Sequence, residues 1–301
     1  MWLNPIVKKD VKVQSRSMKI CFGVLAYELI LALVFFFAMF IIQENNIYYS
    51  DNIYSELVGL YPVLAITQFV ILGVIVPVRT ASSISGERER QTFDIMMTTG
   101  MTPFSVVAGK VMTAIVQSML FIAASLPIMA LSFVVGGMSW SYLFWFFAIA
   151  LLISVFSASI GILCSSLCKK SVSAVIMSYG FYLIFFIGTL VPSILYEIYS
   201  INYWYNGSSV QSGYSYGENF ALTLLINPAV YLAEFVALVM TGESIWDNSF
   251  DMTTVGGPIR FLADGNHWII ASTVLFLAVS FLFLWLAARR IDPARKHRKG
   301  R

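Results

Sequence analysis

Four alternating charges, Glu87, Arg88, Glu89 and Arg90, stand immediately before an apolar trio, Phe93, Met96 and Met97, at helical spacing. An isolated surface ion pair is worth at most about 1 kcal/mol, so a Glu-Arg-Glu-Arg run makes most sense as a network that faces a partner and sets its register. Methionines beside an aromatic ring suit helix-in-groove docking, because their unbranched side chains adapt to a pocket. The same residues also fit an amphipathic helix lying on lipid, or a merely solvated charged face. A second candidate is Glu28, the one acid deep in an apolar stretch, with Gln68 and Gln117 as intramembrane amides. An ionisable group at such depth is a substrate contact, a proton site or a helix-pairing group, and the bland alternative is a neutralised carboxyl hydrogen-bonded inside a bundle.

Other chemistries are poorly supplied. Gly109-Lys110 is followed by Val111, and Phe104 stands where a phosphate-binding loop needs its first glycine, so the chain is not expected to bind ATP by itself. His267 and His297 are the only histidines, too few and too far apart for a catalytic zinc helix, and no metal site is expected. An intramembrane protease would need a base or paired carboxylates at depth, and no catalytic residue is assigned. Cys164 and Cys168 are one turn apart but lack a third ligand, so they and Cys21 read as free packed thiols.

The elements that must hold these residues follow from composition. The chain has 301 residues, 58% hydrophobic and only 12% charged, with a net charge of +3. Its mean hydropathy is +0.79. A soluble domain carries about 25% charged residues to hydrate its surface, so this is an all-α integral membrane protein. Six segments are long enough to cross about 30 Å of hydrocarbon. They run from Ile20 to Ile42, Leu57 to Val78, Val111 to Val135, Tyr142 to Leu167, Ser171 to Leu195 and Trp268 to Leu286. Of the 19 Lys and Arg residues, all but Arg260 lie before the first span, in the even-numbered loops or in the tail, while the fifth loop holds Glu218, Glu234, Glu243, Asp247 and other acids. By the positive-inside rule both termini are cytoplasmic.

This accounting divides a single transmembrane domain, 1–301, into a cytoplasmic connecting helix (1–19), a cytoplasmic coupling segment (79–110), an extracytoplasmic cap (196–267) and a basic tail (287–301). In the first of these, Leu3, Ile6, Val7 and Val11 are placed to face lipid while Lys8, Lys9, Lys12 and Arg16 meet headgroups; an untethered basic arm is the alternative. In the second, a short helix is expected over Glu87 to Met97, with Thr102 capping the next helix and Pro103 in its first turn. In the cap, Ala221 to Met240 is apolar but contains Asn227, Pro228 and Glu234, which argues for a re-entrant or peripheral helix over a seventh span. Tyr196 to Asn219, rich in Tyr, Ser and Gly, reads as an ordered wet cap.

The run Gly86-Glu87-Arg88-Glu89-Arg90-Gln91-Thr92, followed by Thr99-Gly100-Met101-Thr102-Pro103 and Gly109-Lys110, resembles the pattern between the second and third spans of ABC transporter permeases of the type-2, exporter-like class. Asn4-Pro5-Ile6-Val7-Lys8-Lys9-Asp10 is similar to that family's opening, and the motif departs from it chiefly in Gln91, where glycine is commoner, and in Gly100, where proline is frequent. The resemblance implies a permease subunit in the cell membrane, without catalysis of its own, that forms a substrate pathway and couples to a separate ATPase. Glu87, Arg88, Glu89 and Arg90 would transmit motion, and Phe93, Met96 and Met97 would seat in the ATPase groove. ATP and Mg would be held by that partner, with no cofactor in this chain. A second permease, as homodimer or heterodimer, and membrane lipid complete the expected partners; nucleic acid is not among them. Two rivals remain: a self-contained secondary transporter or channel using Glu28, and a non-transporting membrane scaffold. The substrate is left open.

Overall fold

A computed structural model describes residues 5–48, 57–98, 101–137, 139–195, 198, 222–246, 261–262 and 266–291. Among the described residues there is no strand. The helices are α1 (Pro5–Ser15), α2 (Met18–Tyr48), α3 (Leu60–Glu89), α4 (Phe93–Thr98), α5 (Pro103–Ala124), α6 (Leu126–Gly136), α7 (Trp140–Leu167), α8 (Ser171–Leu183), α9 (Pro228–Met240) and α10 (His267–Ile291). Six helices are long and apolar enough to cross a bilayer: Met18–Glu44, Leu60–Glu89, Pro103–Ala124, Trp140–Leu167, Ser171–Leu195 and His267–Ile291. These are the six spans read from the sequence, with small shifts at several ends and two larger changes of boundary. The second span continues well past Val78 to Glu89, and the third begins at Pro103 and breaks at Ser125, where Pro127 follows and α6 starts anew.

Contacts group the chain into two compact units, Met1–Ser178 with Val279–Arg301, and Tyr179–Ala278. The first is built on α3 and α7. Gly161 of α7 lets the two backbones close up: a Cβ there would stand 2.9 Å from Thr80 Cβ and 3.1 Å from the Ala81 nitrogen. One turn on, Ser165 Oγ accepts from the N–H groups of Ile84 and Ser85, each at 2.9 Å, and donates to Ser85 Oγ at 3.3 Å. Small residues with inward hydroxyls are how helices associate in lipid, where apolar surface alone gives no preference for protein over solvent. Accordingly 72% of the most apolar window of α7 is buried, against 17% for α2.

In this unit α1 departs from expectation. Ile6 and Val7 are buried in the protein, leaving Lys8 and Lys9 exposed, so this part of the apolar face meets α5; Val11 is half-buried, and Leu3 lies outside the described residues. The reason is that Asp10, one turn on, has a partner on α5, described below.

In the second unit, α8 passes into a π-helical turn, Ile184–Gly188, and the span continues to Leu195. The carbonyl of Phe186 in that turn accepts from Asn227 Nδ2 at 2.9 Å, the kind of repair a π-bulge needs. Asn227 Oδ1 meanwhile accepts from the N–H groups of Ala229 and Val230, capping α9 with Pro228 in its first turn. At the other end Glu234, fully buried, accepts from Ser244 Oγ at 2.6 Å and the Ile245 N–H at 3.1 Å. The three polar residues that argued against a seventh span are thus a helix start and a turn clamp, and α9, 13 residues and about 20 Å long, falls short of spanning. The cap from Tyr196 to Asn219, apart from Ile198, lies outside the described residues, as do Thr99, Gly100 and everything beyond Ile291.

Candidate functional site

The site lies at the end of the first unit where α1, α3, α4 and α5 meet. The helix expected over Glu87 to Met97 is instead two elements. Arg90 ends α3, Gln91 takes the left-handed conformation at φ 59°, and α4 begins at Phe93. The Thr92 N–H bonds the Glu87 carbonyl at 3.0 Å and the Gln91 N–H bonds the Arg88 carbonyl at 3.1 Å, the paired closure of a Schellman stop. The left-handed position favours glycine, which gives a steric reason for glycine being commoner there in the motif. Beyond α4, Thr102 caps α5 by accepting from the Ser105 N–H at 3.3 Å, with Pro103 in the first turn, as read from the sequence.

Three of the four alternating charges are bound within the chain. Glu87 Oε1 accepts from Lys110 Nζ at 2.6 Å, and the same ammonium donates to Asp10 Oδ2 at 2.9 Å. Lys110 is 7% exposed and its acids 18% and 20%, so one buried cation joins α1, α3 and α5. Arg88 Nη1 donates to the carbonyls of Ser166 and Cys168 at 2.9 and 3.1 Å, at the C-terminus of α7, and its guanidinium lies 5.1 Å from the Phe93 ring centre. Glu89 accepts from the N–H and hydroxyl of Ser171 at 3.0 and 2.6 Å, at the N-terminus of α8. Each charge therefore complements the helix end it meets, cation at the carbonyl end and anion at the amide end. The end of α3 is clamped to the tight turn between α7 and α8. Arg90 alone of the four is exposed without such a bond.

The apolar trio also turns inward. Phe93 is 8% exposed in a core with Ile84, Val107, Val111, Ile162, Leu163 and Ala287, and Met96 and Met97 pack against it half-buried. These three are therefore not the outward face of α4, because the Schellman stop rotates the new helix so that Phe93 meets Arg88 and the core. The outward apolar residue is Ile95, 66% exposed, with Gln91, Thr92 and Thr98 beside it.

A cavity of about 580 Å³ opens between α1, α3 and α5, with Gln117 on its wall beside Lys110, Thr113 and Arg79. Gln68 is fully buried, and neither of its amide atoms has a hydrogen-bond partner; Glu28 Oε1 is likewise buried and unpartnered. Gln68 therefore does not hydrogen-bond Glu28, and the three intramembrane residues do not come together as one bonded cluster. In the sequence Asp10 and Lys110 stand only as members of motifs, without a role of their own, and Arg79 only as a loop cation; the structure makes all three participants. The Gly109-Lys110 pair of the motif, just ahead of the third span as read from the sequence, was the available signal for Lys110.

With this geometry in view, the model of the ABC-2 family transporter proteins matches residues 42–289, well over half of the chain. The chain belongs to that family. The permease has no match among curated proteins. The family assignment gives the six spans a task, transport across a membrane. The ion triad lies within the match except for Asp10, which precedes it.

Proposed function

We propose that the chain is the permease subunit of an ATP-binding cassette exporter, forming the substrate pathway and docking a separate ATPase, which holds ATP and Mg, on its cytoplasmic face. The observation that carries this reading is the end of α3. A short helix packs Phe93, Met96 and Met97 against the spans and leaves Ile95 outward, beside the exposed Arg90, on a base tied by Lys110 to α1 and α5 and by Arg88 and Glu89 to the α7–α8 turn. A push on α4 is thereby distributed over five helices, which is what a lever for rigid-body rearrangement needs. ATP closure on the partner would shift the population between inward- and outward-open states. A second permease would complete the pathway.

The test is capture of the ATPase. In mild detergent the tagged chain should bring down an ATP-binding cassette subunit and stimulate its hydrolysis in liposomes. Ile95→Glu with Arg90→Glu should abolish capture while the permease still elutes as a folded species. Capture unaffected by both changes would place the docking surface elsewhere, and no nucleotide-binding subunit at all would end the exporter reading. Activity from the chain alone, lost in Glu28→Gln and indifferent to ATP, would favour a secondary transporter.

A further inference from the structure

We infer that the cavity between α1, α3 and α5 binds an anionic phosphate headgroup, with Arg79 as its principal ligand. In the sequence Arg79 reads only as an orientation charge, but α3 continues for ten residues beyond it, about 15 Å. The uncharged stretch of α3 from Leu60 to Val78 rises about 28 Å, close to the thickness of the hydrocarbon. Arg79 is the next residue. It therefore stands at the depth where hydrocarbon gives way to lipid phosphates, on the wall of a 580 Å³ cavity.

The charges of that cavity are unequally engaged. Its carboxylates are Asp10, Glu87 and Glu89. Lys110 binds Asp10 Oδ2 and Glu87 Oε1, leaving Glu87 Oε2 buried without a hydrogen-bond partner, and Glu89 is bound to Ser171. Among the described residues Arg79 has no acid partner: its guanidinium lies 5.5 Å from the Phe121 ring centre, and Nη1 is buried with no hydrogen-bond partner. A ring face attracts the cation but accepts none of its hydrogens in the guanidinium plane, and an orphaned buried N–H is costly. An anion entering the cavity removes that cost, and the flexible arginine stem lets the planar fork turn from the wall to meet it. Lys9 and Arg90 at the rim add attraction for a negative headgroup.

The probe is phosphatidylglycerol, titrated against the purified full-length chain in neutral detergent and read by native mass spectrometry. One molecule should bind per chain, on the order of tenfold or more tighter than phosphatidylcholine, whose choline offsets the phosphate charge. Arg79→Gln should erase that preference. Should Arg79→Gln not fold, Ser83→Glu, which sets a carboxylate on the cavity wall, should erase it instead. Inorganic phosphate at millimolar concentration distinguishes the sources: displacement means the site takes the free anion, and retention means it takes the lipid headgroup. Equal binding of the two lipids by the unaltered chain, or a preference that survives either substitution, overturns the inference. Because binding is read without any ATPase, its failure leaves the proposed function standing, and a chain that binds lipid yet captures no ATPase overturns only that function.

Discussion

Lys110 holds two carboxylates 2.9 and 2.6 Å away while itself only 7% exposed, and removing its charge leaves Asp10 and Glu87 without their shared cation. Breaking a buried pair by deleting one partner costs 3–5 kcal/mol; with both acids partly solvated, Lys110→Met is expected to cost about 2 kcal/mol. Thermal unfolding in detergent should show the loss, and adding Asp10→Asn with Glu87→Gln should recover most of it, since the repulsion goes with the charges. A triple variant no more stable than the single one would mean that Lys110 acts through packing alone. Gln91 offers a change of opposite sign. It holds a left-handed φ of 59° that costs a residue with a Cβ about 1 kcal/mol, so Gln91→Gly should raise stability by about 0.5–1 kcal/mol. A β-branched residue there should lower it, and hydrogen exchange at Thr92 would report both. Neither feature could be read locally. Nothing in glutamine's preferences announces a left-handed stop, and Asp10 and Lys110 are 100 positions apart in sequence, joined only by the packing of α1 on α5.

Between elements, the decisive contact is α3 against α7. Gly161 leaves room for Thr80 and the Ala81 backbone, and Ser165 hydrogen-bonds the α3 backbone one turn further. A methyl group at Gly161 must displace Thr80 or separate the helices, so Gly161→Ala is expected to destabilise the bundle by about 2 kcal/mol, within the usual range for overpacking. Adding Thr80→Gly should return much of that loss, because the nearest atoms belong to the threonine side chain, whereas Thr80→Ala should return less. A Gly161→Ala chain with unchanged unfolding temperature would show that the close approach is slack. What was legible at this scale was the existence of each span, because apolar length is written plainly. Also legible was the Thr102-Pro103 start of α5, because a cap is a local hydrogen bond. Which faces meet was not, since a nearly all-apolar helix carries little periodicity to orient it. For the same reason Phe93, Met96 and Met97 were read as outward: their spacing defines a face, and only the turn at Gln91 decides where that face points.

For the whole molecule, six spans make a strict claim about sides. Val13 in α1 and Lys169 in the α7–α8 turn must share one side of the membrane, and Glu243 after α9 must lie on the other if α9 does not span. By the positive-inside rule, the concentration of cations in the N-terminal segment, the even loops and the tail predicts that this shared side is the cytoplasmic one. With Cys21, Cys164 and Cys168 replaced by alanine, single cysteines at these three exposed positions can be challenged on intact cells with a membrane-impermeant maleimide. Glu243→Cys should react at once, while Val13→Cys and Lys169→Cys should react only after permeabilisation. Reaction at Val13 but not Lys169 would mean an odd number of crossings between them, and the span count would fall. Reaction at both with Glu243 protected would reverse the orientation, and the functional consequence would be severe. ATP is supplied on the cytoplasmic side, so an outward-facing α4 could meet no ATPase, and the Lys110 triad, the Arg88 and Glu89 clamps and Ile95 would be left as architecture without a motor.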